Sequence, residues 1–286
     1  MRSKLFVPAS RPELFAKALA GAADAISFDL EDAVAPERKG AARAELTRLL
    51  QSPVASDKTL IVRVNACGTP HFAPDLEAVV WPALHIVNLP MVESAEAVRE
   101  AATVLDALER ERGITRPLGI LANIESPRGL RLAADIALAH RRVIGLQIGY
   151  GDLFAPLGIA SGEPAATQYV RTAVRMAAGE AGVDAFDGAY VNYSDQAGYR
   201  RDCEAARQLG LAGRSCIHPS QIAITNEAFR PAEADVAFAV KVVQAAKDHL
   251  GRGIGAFSVD GRLVDGPFIT QAERLVALAR RLGMIA

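Results

Sequence analysis

Ionisable and polar side chains recur at one kind of place in this chain, the residue or two after a short apolar stretch. Asp29-Leu30-Glu31-Asp32 follows Ala25–Phe28, and Arg63 with Asn65 closes Thr59–Val64. Glu125 follows Leu118–Ile124, Asp152 follows Val143–Ile148 in Gly149-Tyr150-Gly151-Asp152, and His218-Pro219 follows Ser215–Ile217. Glu125 and Asp152 sit after consecutive stretches, so their carboxylates can approach one another. Two hard oxygen donors with no Cys or paired His nearby suit Mg²⁺, which keeps several waters and lets a substrate complete its shell. Either acid alone reads as simply as a helix-start residue favouring the dipole or capping a turn. Together, at equivalent positions, they favour the metal.

Arg63 lies in an apolar stretch where an unpaired guanidinium would be costly. Its planar fork suits a carboxylate, either a substrate's or one from Asp29, Glu31 or Asp32. Those acids read either as a solvated turn or as a group that orders metal-bound water and Arg63. His218, before Pro219, reads as a cap or a core hydrogen bond rather than a general base. Cys216 reads as a packing residue. His71, His85, His140 and His249 have no constellation around them.

These residues need elements to hold them. Strands are expected over Lys4–Val7, Ala25–Leu30, Thr59–Asn65, Leu84–Leu89, Leu118–Ile124, Val143–Ile148, Gly188–Asn192 and Ser215–Ile217. Helices are expected over 12–20, 36–50 and 94–112, the last with Ser94 as N-cap. Runs that are apolar on both faces indicate buried parallel strands, and about eight strand–helix repeats favour closure into a barrel. An open doubly wound sheet often carries a Gly-rich turn after its first strand, whereas here that strand ends Val7-Pro8-Ala9-Ser10. In a barrel the five polar strand ends share one rim, where active sites lie. Beyond the eighth strand the pattern predicts helices over 219–228 and 232–250, a hairpin over 257–264 turning at Asp260-Gly261, and a last helix over 270–282. The expected division is a barrel over 1–230 and an extension over 231–286, packed on the barrel or on a neighbouring subunit.

With 32 basic and 33 acidic residues among 286, the chain lacks the charge excess of a nucleic-acid binder. Half of it is hydrophobic, which excludes a disordered or collagen-like chain. The three cysteines form no CxxC and are a poor disulfide framework, and no apolar run suits a signal peptide or a membrane span. A cytoplasmic protein with no membrane or nucleic-acid partner is expected.

Six segments in this order resemble a known family: Arg2-Ser-Lys-Leu-Phe-Val-Pro8, Asp29-Leu-Glu-Asp-Ala-Val34, Arg63-Val-Asn65, Ile124-Glu-Ser126, Gly151-Asp152 and Cys216-Ile-His-Pro-Ser-Gln221. They are similar to the citrate lyase beta-subunit-like branch of the HpcH/HpaI aldolase and citrate lyase family, over nearly the whole chain to Asp265. The resemblance implies a TIM-type (β/α)8 barrel, often trimeric, that cleaves or forms carbon–carbon bonds in acyl-CoA thioesters with Mg²⁺. It makes Glu125 and Asp152 the metal ligands, with Glu125 also at the substrate. Arg63 holds the substrate carboxylate or oxo group, with Asp29, Glu31 and Asp32 as the acids behind. Asp265 falls where some relatives supply an acid or base; a water near Glu31 or Asp32 is the rival proton carrier. The expected reaction is cleavage of a citryl-, citramalyl- or malyl-type β-hydroxyacyl-CoA into an acyl-CoA and an oxo acid, or its reverse. An aldolase of free 4-hydroxy-2-oxo acids and a non-catalytic subunit of a larger complex are the alternatives. The chain departs from the family in Met91, where a lysine is common, and in Ala9-Ser10, where glycine is usual. No clear cradle for CoA phosphates is evident: Lys17, Arg38 and Lys39 read either as its cations or as solvated helix charges.

Overall fold

A computed structural model describes residues 1–52, 54, 56–251 and 253–285. Eight parallel strands close into a barrel in chain order: β1 Ser3–Pro8, β2 Ala25–Asp29, β3 Thr59–Arg63, β4 Ile86–Leu89, β5 Gly119–Ile124, β6 Val143–Ile148, β7 Asp184–Asp187 and β8 Gly213–Cys216. β1 pairs with β8 to complete the ring. The strands' apolar residues pack with those of the surrounding helices in one large core. A separate cluster of Ala25, Ile61, Ile86, Leu121 and Phe186 draws on five strands. Lys4 on β1 bonds Gln147 on β6 and reaches Asn88 on β4. Neither strand neighbours β1, so these contacts cross the barrel interior.

The first six expected strands are present within one or two residues. The seventh is not Gly188–Asn192 but Asp184–Asp187, Asp-Ala-Phe-Asp, and the eighth begins at Gly213 rather than Ser215. Both errors have one cause. Asp187 and Arg214 are buried charges that neutralise each other inside the fold, so neither segment reads as an apolar run. Ser94 caps the helix Ala95–Glu111 as expected, its Oγ accepting from the Ala97 N–H at 3.2 Å. Helices that the periodicity did not single out span Phe72–Val79, Pro164–Glu180 and Gln196–Gln208.

The described residues divide into two compact units, Met1–Phe229 and Arg230–Ala286. In the second, helices Glu233–Leu250 and Gly266–Arg281 enclose a core with the antiparallel pair β9 Phe257–Val259 and β10 Arg262–Val264. Asp260 and Gly261 have φ of 47° and 78°, the paired positive values that a type I′ turn requires. The last helix starts at Gly266, not 270, because Pro267 fits its first turn. Among the described residues no helix is long and apolar enough to cross a membrane.

Candidate active site

Asp29 ends β2 opposite Arg63 on β3, and the register makes them direct partners. Arg63 Nε and Nη2 donate to the two Asp29 oxygens at 2.8 and 2.7 Å, a bidentate pair. The same carboxylate accepts the N–H groups of Glu31 and Ala33, folding the following loop back over the strand. That fold brings Glu31 Oε2 to 2.7 Å and Asp32 Oδ2 to 3.4 Å from Arg63 Nη1. The Phe6 ring lies 5.2 Å from the guanidinium carbon. Of the two sequence readings of Arg63, the ion pair with the acidic group is therefore the one this structure contains.

Lys39 is neither a solvated helix charge nor a free cation for a phosphate. It is buried, and its Nζ donates to the carbonyls of Leu30 and Glu31 at 2.7 and 2.9 Å. Asn65 Nδ2 adds a bond to Leu30 O, so the acidic loop is clamped from two sides.

Several carboxylates share one guanidinium, and the surplus falls on Glu31. Burial, opposed by Arg63 and reinforced by Asp32, Glu125 and Asp29, pushes its carboxyl from 4.5 up to about 8. Its buried Oε2 makes no hydrogen bond despite its closeness to Arg63. The fold thus holds a proton on Glu31 between pH 4.5 and 8, where the unfolded chain has lost it, so folding stability falls as pH rises through that window. With EDTA present, the thermal midpoint should decline from pH 5 to 8 in the native protein. Glu31→Gln should remove that part of the slope.

Glu125 follows β5 directly and is buried, and each of its oxygens has one neutral donor. Oε2 accepts the Met91 N–H at 2.8 Å and Oε1 accepts Asn123 Nδ2 at 2.8 Å. Met91 presents its backbone here, at φ 49°, a value uncommon for a residue other than glycine. Any residue but proline could give that N–H, so the exchange of lysine for methionine leaves this contact intact. A Cβ on Gly149 would overlap Glu125 Cγ and Oε1. Gly149 has φ −117°, so Gly149→Ala would act through that overlap alone. The carboxylate should be displaced, and calorimetric Mg²⁺ affinity should drop at least about tenfold, since small misplacements in a site are costly.

Asp152 lies in the first turn of the helix Tyr150–Phe154, exposed. Burial chiefly, and the Asp152 charge in part, raise the Glu125 carboxyl. Among the described residues neither acid is in an ion pair. Both line a cleft of about 1310 Å³ with Asp29, Asp32, Arg63 and Phe6. The donors are carboxylates alone, and among the described residues no cluster of three or more His, Cys, Asp or Glu could hold a metal by itself. That set fits a hard cation that retains water, not zinc.

Around β7 and β8 the sequence reading missed a charged network. Asp187, fully buried, accepts from Tyr150 Oη at 2.6 Å and Arg171 Nη2 at 2.8 Å, with Arg214 Nη1 at 3.3 Å. Asp202 bridges the two arginines at 2.9 and 2.7 Å. The strand-end rule would have found Asp187 had β7 been placed correctly, whereas Arg214, second in β8, lies at its strand's start and outside that rule. His218 behaves as a cap, its Nδ1 facing the Ser220 N–H and hydroxyl while the ring stacks on Tyr193. Cys216 is buried and packs beside Tyr199 and Thr225. Asp265 belongs to the second unit, at the N-terminal cap of its last helix, with Oδ1 buried and unbonded.

Residues 2–219 match the HpcH/HpaI aldolase/citrate lyase family. The chain belongs to that family. It is 36% identical to citrate lyase subunit beta of Escherichia coli K12, over 99% of this chain and 94% of that protein. It is 33% identical to an L-malyl-CoA/beta-methylmalyl-CoA lyase of Cereibacter sphaeroides, over 98% and 95%. Among solved structures, CitE from Mycobacterium tuberculosis in complex with magnesium, acetoacetate and coenzyme A superposes with a TM-score of 0.76 at 36% identity, covering 98% of each chain. Family membership and the closed barrel place the strand-end residues where this fold keeps its chemistry.

Proposed function

We propose that this chain is a Mg²⁺-dependent carbon–carbon lyase that cleaves or forms a β-hydroxyacyl-CoA of the citryl, citramalyl or malyl type. The observation that carries the reading is the pair Glu125 and Asp152, two carboxylates in one cleft and in no ion pair among the described residues, on a chain whose relatives include citrate lyase subunit beta and an L-malyl-CoA/beta-methylmalyl-CoA lyase. Mg²⁺ held by these two acids would supply Lewis acidity toward the substrate's hydroxyl and carboxylate oxygens.

The chain's own residues would do the rest. Arg63, fixed along its Nε–Nη2 edge by Asp29, would share its Nη1 side, which faces Glu31 and Asp32, with the substrate carboxylate or oxo oxygen and oppose the charge that grows there. Asp29, Glu31 and Asp32 keep that guanidinium in place, and Lys39 keeps their loop in place. Glu31, titrating near 8, is suited to take the hydroxyl proton in cleavage and return it in condensation, directly or through a water beside Asp32. Asp265 is the second candidate for that proton, and comparing Glu31→Gln with Asp265→Asn separates the two. The carbon–carbon bond then breaks to an oxo acid and a thioester enolate, whose carbon takes up a proton, from the group that received the hydroxyl proton or from water, to give the acyl-CoA. We place the protein in the cytoplasm as a homo-oligomer, most simply a trimer, which light scattering on the purified chain would measure.

The direct test is acetyl-CoA release from citryl-CoA, citramalyl-CoA and malyl-CoA with Mg²⁺ or with EDTA. Metal-dependent release is expected, and the fastest thioester names the substrate. No release from any of the three, with Mg²⁺ still bound, would overturn the thioester reading and favour free 4-hydroxy-2-oxo acids or a non-catalytic role.

A further inference from the structure

The barrel interior beneath the cleft holds a directed chain of side-chain amides that ends on Glu125. Lys4 Nζ faces Asn88 Oδ1 at 3.5 Å, and Asn88 Nδ2 donates to Asn123 Oδ1 at 2.6 Å. Asn123 Nδ2 in turn donates to Glu125 Oε1 at 2.8 Å. Lys4, Asn88 and Asn123 are all buried, and none of them lines the cleft.

The direction of this chain is dictated at both ends. Lys4 Nζ donates to Asn88 Oδ1 as it does to Gln147 Oε1, so Asn88 turns its carbonyl toward Lys4. Asn88 Nδ2 also meets the Leu121 carbonyl at 2.9 Å, which demands the same orientation. Reversing Asn88 would set carbonyl against carbonyl, and reversing Asn123 would set a carbonyl against the Glu125 carboxylate. Interiors of parallel barrels are ordinarily filled by branched aliphatic residues, and two buried asparagines cost stability unless fully bonded. A purely structural pair could be replaced by leucines at little cost, because removing both partners of a buried hydrogen bond is nearly neutral. Here the last donor is spent on a carboxylate that needs it.

We propose that Asn88 and Asn123, anchored by Lys4, are positioning residues that aim the Glu125 carboxylate at the bound cation from inside the barrel. The inference rests on Glu125 being a Mg²⁺ ligand. With Oε1 held by Asn123 and Oε2 by the Met91 N–H, the carboxylate has one rotational setting in the wall of the cleft that Glu125 lines.

The test is calorimetric titration of Mg²⁺ alone into the whole chain as wild type, Glu125→Ala, Asn123→Leu, Asn88→Leu and the double leucine variant, each checked by thermal melting. Asn123→Leu should weaken Mg²⁺ about 10–100-fold, the range for residues that orient a ligand. Asn88→Leu should weaken it several-fold, and the double variant no more than Asn123→Leu, because Asn88 acts through Asn123. A double variant that melts close to the wild type yet binds Mg²⁺ more weakly separates aiming from mere support, since support alone would leave the affinity unchanged. Asn88→Ala replaces Asn88→Leu if the larger residue does not fold. Wild-type Mg²⁺ affinity in the folded asparagine variants, with binding lost in Glu125→Ala, would overturn the positioning role and leave the metal reading standing. No Mg²⁺ binding by the wild type would overturn both.

Discussion

Glu125→Gln should abolish measurable Mg²⁺ binding and lower kcat for thioester cleavage by at least about 10³-fold, roughly 4 kcal/mol of barrier. The substitution keeps shape and removes charge, so it isolates the electrostatic contribution. It also creates a conflict, because both Glu125 oxygens face donors, the Met91 N–H and Asn123 Nδ2. A glutamine must offer an NH₂ to one of them. Burial already disfavours the charged form of Glu125, which offsets part of that conflict, and the unmatched donor should lower the melting temperature by a few degrees, about 1–3 kcal/mol. Calorimetry with Mg²⁺ and a coupled assay of acetyl-CoA release measure the two effects. Retention of either would remove Glu125 from the site.

Asp187→Ala should be the most damaging single substitution for stability. It strips a fully buried carboxylate from Arg171 and Arg214, which are themselves buried and would share only Asp202. Breaking a buried pair by removing one member costs about 3–5 kcal/mol because the remaining charge is uncompensated. For a unit of this size that corresponds to a fall in melting temperature on the order of 10 °C. The same group sets an acid limit. Burial opposes its ionisation, but Arg214 and Arg171 hold the Asp187 carboxyl below its ordinary 3.8. Its stabilisation is therefore full above that value and is lost as pH falls through the lowered one. Denaturant titrations at pH 7 and pH 3 would show it, and Asp187→Ala should have a shallower acid dependence.

The first six strands were legible because each is a run of aliphatic residues buried on both faces, and the rim acids were legible because they interrupt those runs. β7 was not, since Asp184-Ala-Phe-Asp187 has charged ends, one of them neutralised by partners far along the chain. Lys39 illustrates a second limit. Its spacing from Leu30 and Glu31 says nothing of carbonyls waiting for it, so a buried clamp reads as a helix charge. Met91 illustrates a third. Its side chain marks a departure from the family, while the part that touches Glu125 is an N–H that side-chain identity does not encode. Arg63 was open between substrate and neighbours until the register set it directly opposite Asp29.

Five acids, Asp29, Glu31, Asp32, Glu125 and Asp152, gather about Arg63, the one cation in an ion pair with any of them among the described residues. Even with a proton on Glu31 the mouth of the barrel is electronegative, and a CoA thioester of a dicarboxylic or tricarboxylic acid is an anion. Such a molecule meets repulsion until a divalent cation has entered. On the proposed function, the surplus of carboxylates predicts an order of addition, metal before thioester, which product-inhibition kinetics would check. It also predicts that adding more substrate would not overcome inhibition by chelators.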